Sequence, residues 1–215
     1  MKADYTHIIF LIDRSGSMSS IQKDMEGGIK EFLAKQRELP GQCTITAAQF
    51  DTDYEILHSL KSLTEVQELK INPRGGTALI DSMVRLIKES GKELASLPES
   101  ERPERVLFVA ITDGEENSSR EYKNDALKEL IKEQEDKYNW QFTYLGANQD
   151  AFSVAGGFGL ASNKSMNYNA STTGISAAFM TLNDATVRYR SANSADLNKD
   201  SFSYTTQEQE STANA

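Results

Sequence analysis

Two continuous apolar runs, each breaking into an oxygen-rich loop, constrain this chain more than any other feature. His7-Ile8-Ile9-Phe10-Leu11-Ile12 leads into Asp13-Arg14-Ser15-Gly16-Ser17, and Val106-Leu107-Phe108-Val109-Ala110-Ile111 leads into Thr112-Asp113-Gly114. Apolar runs without alternation suit strands covered on both faces, as in the middle of a parallel sheet flanked by helices. Open sheets of that kind bind ligands beyond the carboxyl ends of their strands, near the point where the strand order reverses. If the two strands are neighbours, their polar loops meet.

The rest of the chain alternates in the way an α/β fold requires. Strands are predicted at about 6–12, 44–50, 54–57, 106–112, 141–145 and 164–168, the last at an edge. Asp51-Thr52-Asp53 reads as a hairpin turn between the second and third strands. Long helices are predicted at about 19–39, 78–95, 122–137 and 173–190, with short ones at 64–68 and 150–155. Their buried stripes are Ile21, Met25, Ile29, Phe32 and Leu33; Leu79, Met83, Leu86, Ile87 and Leu94; Ala126, Leu127, Leu130 and Ile131; and Ile175, Ala178, Phe179, Leu182 and Tyr189. Gly27-Gly28 costs the first helix roughly 2 kcal/mol in propensity, and a close approach to the sheet would account for it. The expected organisation is one domain over 1–191 and a polar, disordered tail over 192–215, because the tail is mostly Ser, Thr, Asn, Gln and Glu.

A third polar segment, Gly75-Gly76-Thr77, precedes the helix at 78–95. Taken together, the three segments offer the carboxylates of Asp13 and Asp113 and the hydroxyls of Ser15, Ser17 and Thr77. All are hard oxygen donors, which suits a small divalent cation and Mg²⁺ above all, with Mn²⁺ or Ca²⁺ as alternatives. Ser15 and Ser17 flank a glycine on an extended turn, so both hydroxyls can face one point. Two carboxylates balance a divalent charge, and a position left open on the ion could take a carboxylate from elsewhere.

Asp13-Arg14-Ser15-Gly16-Ser17, Thr77 within Gly75-Gly76-Thr77-Ala78, and Asp113 within Thr112-Asp113-Gly114 resemble the metal-ion-dependent adhesion site of von Willebrand factor A (VWA) domains. Order, spacing and element placement agree over about residues 5–191. The resemblance implies a Rossmann-like sheet of about six strands, mostly parallel with one antiparallel edge strand and helices on both faces. It also implies that Ser15, Ser17 and Thr77 ligate directly, while Asp13 and Asp113 act directly or through water. By length, and in carrying no second domain, the chain is similar to small stand-alone VWA proteins of bacteria and their phages. The implied function is a metal-dependent adaptor or assembly module whose protein partner supplies an Asp or Glu to the ion.

Other function classes fare worse. The net charge of −9 disfavours nucleic acid and acidic membrane surfaces. No apolar run approaches the roughly 18 residues of a membrane span and no signal-peptide pattern precedes the first strand, so the cytoplasm is the expected compartment. An aspartyl-phosphate phosphotransferase would want a second Asp where Ser15 stands, and there is no Gly-x-x-x-x-Gly-Lys-Ser/Thr loop. His7 and His58 share no cluster with each other or with the lone Cys43. The chain is therefore expected not to be an enzyme. The alternatives are a structural subunit with a vestigial metal site and, further off, a metal-dependent phosphoester enzyme. Asp196-Leu197-Asn198-Lys199-Asp200 starts like a calcium loop, but Ser201 and Gln207 stand where that loop needs Gly and Glu.

Overall fold

In a computed structural model describing residues 1–147 and 150–215, the predicted strands form one six-stranded sheet in the order β3-β2-β1-β4-β5-β6. They are β1 (Lys2–Asp13), β2 (Gln42–Phe50), β3 (Tyr54–Ser62), β4 (Pro103–Thr112), β5 (Gln141–Ala147) and β6 (Ser165–Tyr168). Neighbours run parallel except β2 and β3, which form an antiparallel hairpin at one edge. The chain winds outward from β1 in both directions, so the order reverses between β1 and β4. That is where Asp13 and Asp113 were expected to meet.

The helices are α1 (Gln22–Glu38), α2 (Leu79–Ser96), α3 (Asn124–Tyr138), α4 (Ala151–Gly157), α5 (Thr172–Ser191) and α6 (Thr206–Ala213). Alternate residues of β1 serve opposite layers, which is why its run is apolar throughout. Ile8, Phe10 and Ile12 pack with Ile29, Phe32 and Phe179 of α1 and α5. Ile9 and Leu11 pack with Met83, Ile87 and Leu127 of α2 and α3.

Several expectations need correction. Residues Gly16–Ser20 form a 3-10 turn, and α1 starts only at Gln22. β3 runs on to Ser62, half-exposed as an edge strand can be. The expected helix at 64–68 is a single 3-10 turn, Leu63–Glu65. Ala126 is exposed, so α3 buries a narrower stripe than expected. The Gly27-Gly28 pair does not approach the sheet. A Cβ on Gly28 would lie 2.2 Å from the Phe179 ring, so the close contact is between helices α1 and α5, while a Cβ on Gly27 would meet nothing within 4 Å.

The largest correction concerns residues 192–215, which are folded onto the domain instead of disordered. Phe202 is 0% exposed and Tyr204 3%. Lying two apart in a stretch without helix, the two rings enter the α1/α5 core together. Phe202 meets Tyr189 and Tyr204 edge to face, and the Tyr204 hydroxyl lies 2.8 Å from Thr143 Oγ1. A capping box then starts α6, with Thr205 and Glu208 each bonding the other's backbone N–H. Gln209 donates to the carbonyls of Ser162 and Ser165 beside β6. The segment's average polarity concealed two aromatic anchors. Among the described residues no helix is long and apolar enough to cross a membrane.

Candidate metal centre

Backbone hydrogen bonds join the three polar loops before any side chain is considered. Arg14 N–H donates to the Phe50 carbonyl, Arg74 N–H to Arg14, and Gly16 N–H to Gly75. Ala78 N–H donates to Asp51, and Asn117 and Ser118 N–H both reach the Thr77 carbonyl. Beneath this mesh Asp51, wholly buried, takes ion pairs from Arg14 Nε at 3.1 Å and Arg74 Nε at 2.6 Å. Gly75, at φ +65°, makes the turn that brings Thr77 to the same place.

All five predicted ligands converge there. Asp13 is buried at the end of β1, where its Oδ1 accepts the Ser15 N–H at 2.6 Å and its Oδ2 accepts the Thr112 hydroxyl. Ser15 Oγ and Ser17 Oγ lie 3.0 Å apart, and Ser17 Oγ donates to Asp113 Oδ1 at 2.6 Å. A Cβ placed on Gly114 would sit 3.0 Å from Thr77 Oγ1, 3.4 Å from Ser17 Oγ and 3.6 Å from Ser15 Oγ. Three hydroxyls thus surround one spot that the missing side chain of Gly114 keeps open. Ser15 does not cap the turn it precedes, and the free N–H groups at the start of α2 are taken by Glu116 and Ser119, not by Thr77. Helix capping therefore does not explain why these hydroxyls are here.

The donor set fits a small divalent cation. Six oxygens held about 2.1 Å from Mg²⁺ in an octahedron stand roughly 3.0 Å from their neighbours, the separation of the two serine hydroxyls. Burial pushes the Asp13 carboxyl up to about 6; hydrogen bonds from Thr112 and Ser15 oppose the rise and the charge of Asp113 adds to it. Burial also raises Asp113, with the Ser17 hydroxyl opposing. Among the described residues neither carboxylate forms an ion pair, so two partly desolvated negative groups share a pocket that a cation would relieve. No group of three His, Cys, Asp or Glu side chains capable of holding a metal occurs among those residues, so any site here must draw on hydroxyls.

The sequence reading missed the residues that hold the ligands in place. Thr112 ties β4 to Asp13, and the Tyr168 hydroxyl donates to the Thr112 carbonyl at 3.2 Å from beneath. Asn117 Oδ1 accepts the Thr77 N–H at 2.9 Å. Glu116 accepts N–H groups from Ile80, Ser118 and Ser119. Asp81 accepts those of Arg120, Glu121 and Tyr122. Nothing in a run such as Glu-Asn-Ser-Ser distinguishes an inward acceptor from a solvated one.

Comparison with solved structures places the fold. Proximal thread matrix protein 1 from the mussel byssus matches with a TM-score of 0.66 at 16% identity, over 83% of this chain and 47% of that one. A form of the same protein with a zinc-occupied MIDAS motif matches at 0.58 and 15%, over 85% and 46%. The ArnB paralog VWA2 from Sulfolobus acidocaldarius matches at 0.55 and 18%, over 83% and 44%. The chain has the VWA fold, and spans about half the length of the structures it matches. No protein-family model and no curated protein sequence matches it.

Proposed function

We propose that this chain is a Mg²⁺-dependent protein-interaction module, not an enzyme, and that a carboxylate from a partner protein completes the shell of its ion. The observation that carries the reading is the convergence of the Ser15, Ser17 and Thr77 hydroxyls beside Gly114, with Asp13 and Asp113 in contact with the same cluster. Asp13 anchors the site from below, both its oxygens already committed to Ser15 and Thr112. Ser15, Ser17 and Thr77 supply neutral oxygens, so the two aspartates alone balance a divalent charge. A bound ion would supply an electrophilic position at the protein surface, and an Asp or Glu side chain is the natural occupant. Zinc in the corresponding motif of the mussel protein favours a divalent ion in general; a small set of hard oxygens with only two carboxylates, leaving room for water, favours Mg²⁺.

The placement of the two histidines supports binding over catalysis. His7 sits within the sheet, six residues and roughly 20 Å along β1 from Asp13, bonded to Thr44. His58 lies on β3 at the sheet's edge. The net charge of −9 argues for a protein partner over nucleic acid or an anionic membrane. A cytoplasmic protein of bacterial or phage origin remains the reading of the sequence.

The test has two stages. At ten times its dissociation constant Mg²⁺ adds about 1.4 kcal/mol to stability, roughly 3–6 °C in melting temperature for a domain of this size. That gain should vanish in EDTA and in Asp113→Ala. Affinity capture from native lysate should then return a partner with Mg²⁺ present and lose it in EDTA or with Asp13→Ala. Identical melts in tens of millimolar Mg²⁺ and in EDTA would refute the metal site, and a partner retained in EDTA by the variant carrying both Asp13→Ala and Asp113→Ala would refute the metal bridge.

A further inference from the structure

At the opposite end of the sheet, α2 and α3 diverge over the starts of β4 and β5 and leave a cavity of about 320 Å³. Its walls are apolar: Ile87 and Leu94 of α2, Leu130 of α3, Val106 of β4, and Trp140 just before β5. Gly91 opens it. A Cβ there would find only Gln134 Oε1, 4.0 Å away, so a glycine that costs helix α2 about 1 kcal/mol leaves the space between the two helices unfilled. The described surface exposes four large hydrophobic side chains, and two of them, Met1 at 64% and Tyr138 at 55%, line this cavity.

The charged side chains that line it have one sign. Lys88, Lys92 and Arg102 line the cavity and no carboxylate does, in a chain with 32 acidic residues against 23 basic. Lys88 is partly occupied by the Tyr122 ring, 4.5 Å below its ammonium. Arg102 donates only to the carbonyls of Leu97 and Ala95, which leave its charge unbalanced. Lys92, one helical turn beyond Lys88 on the same face, is exposed and, among the described residues, in no ion pair. An apolar floor with unpaired cations at its mouth is complementary to a molecule with an apolar body and an anionic head.

We propose that this cavity binds a small amphipathic carboxylate with a medium-length aliphatic chain, the chain lying against Trp140 and the carboxylate between Lys92 and Arg102. A volume of 320 Å³ lies near the lower bound of small-molecule sites, about 300–1,000 Å³. A docked protein would need a face of about 800 Å², and two exposed apolar side chains do not furnish one. The site lies roughly 20 Å along β4 from Asp113, so it is independent of the metal centre.

Trp140 is the only tryptophan in the chain and forms part of the wall, so its fluorescence reports occupancy directly. Decanoate, titrated below its micellar range into the full-length protein, should shift Trp140 emission saturably, equally with Mg²⁺ and with EDTA. Decyltrimethylammonium, with the same chain and the opposite charge, should bind at least tenfold more weakly. Gly91→Leu should block the cavity and abolish the response. Lys92→Glu, a surface change that leaves packing alone, should weaken decanoate about fivefold or more and narrow the preference for anion over cation. Equal binding of the two surfactants, or an unchanged emission with millimolar decanoate, would overturn the proposal. So would concentration-dependent self-association that Gly91→Leu alone removes, which would assign the face to a second copy of the chain.

Discussion

Replacing Phe202 by alanine tests whether the C-terminal segment belongs to the fold. The ring has no exposure, stacks edge to face on Tyr189 at 6.2 Å and Tyr204 at 5.3 Å, and its backbone N–H donates to Gln141 Oε1 at 3.1 Å. Truncating a fully buried Phe removes its transfer energy and leaves a cavity, together about 3–5 kcal/mol. Against a total stability of about 5–15 kcal/mol this is a large loss. For a domain of this size it amounts to a fall of roughly 6–20 °C in melting temperature. Urea denaturation followed by far-UV circular dichroism should show a lower midpoint with an unchanged slope, since the surface exposed on unfolding is nearly the same. A chain ending at Asn198 should lose more, because Tyr204 and the cover that α6 gives β6 go as well. Glu210→Ala, on the exposed side of α6, should change stability by less than about 0.5 kcal/mol. A melting temperature within 2 °C of wild type for Phe202→Ala, or a truncated chain as stable as the whole, would refute the docking of this segment.

Three other outcomes follow from geometry. Gly114→Ala should leave the fold intact and abolish Mg²⁺ stabilisation, because its methyl would stand among the three hydroxyls; calorimetric titration with Mg²⁺ checks it, and retained binding would refute the placement of the ion. Gly28→Ala should destabilise by about 1–3 kcal/mol through its clash with Phe179, whereas Gly27→Ala should stabilise by up to about 1 kcal/mol, a contrast in sign that thermal melts can read. His7 is wholly buried, and loss of hydration pushes its pKa down to about 3. Its contribution is therefore present above the ordinary value near 6.5 and is lost as pH falls from there toward 3. At pH 5 the loss is about 2 kcal/mol, and His7→Gln should flatten the decline between pH 6.5 and 5 in denaturant titrations at each pH.

The parts of this molecule legible in its sequence are those where one physical pattern repeats. The apolar runs of β1 and β4 declare strands covered on both sides, and the 3.6-residue stripes of α1, α2 and α5 declare which faces they bury. The five candidate ligand positions were legible because Asp13, Ser15, Ser17 and Asp113 lie at or just past the ends of β1 and β4 and Thr77 just before α2, in a pattern that resembles a known motif. What escaped depends on single residues or on partners distant in sequence. Phe202 and Tyr204 are outnumbered by polar neighbours, although Thr205 and Glu208 spell a capping box beside them. Gly28 faces Phe179, 151 positions away, and no local pattern reveals which surface a helical glycine approaches. Asp81 and Glu116 look like any surface acids until the loop that wraps them is in place.

That wrapping bears on how a cation would be met. Glu116, from the loop after β4, accepts the N–H of Ile80 in the first turn of α2, while Asp81 in the same turn accepts three N–H groups from residues 120–122 of the loop. Helix and loop hold one another like interlaced fingers, and Thr77 and Asp113 belong to the two hands. A ligand set spread over independent loops would be competent only for the fraction of time all were in place, and its apparent affinity would fall by that fraction. Here the hydrogen bonds tie the segments bearing Thr77 and Asp113 to one another, so a cation arriving there would encounter one standing surface whose ordering was completed when the sheet folded.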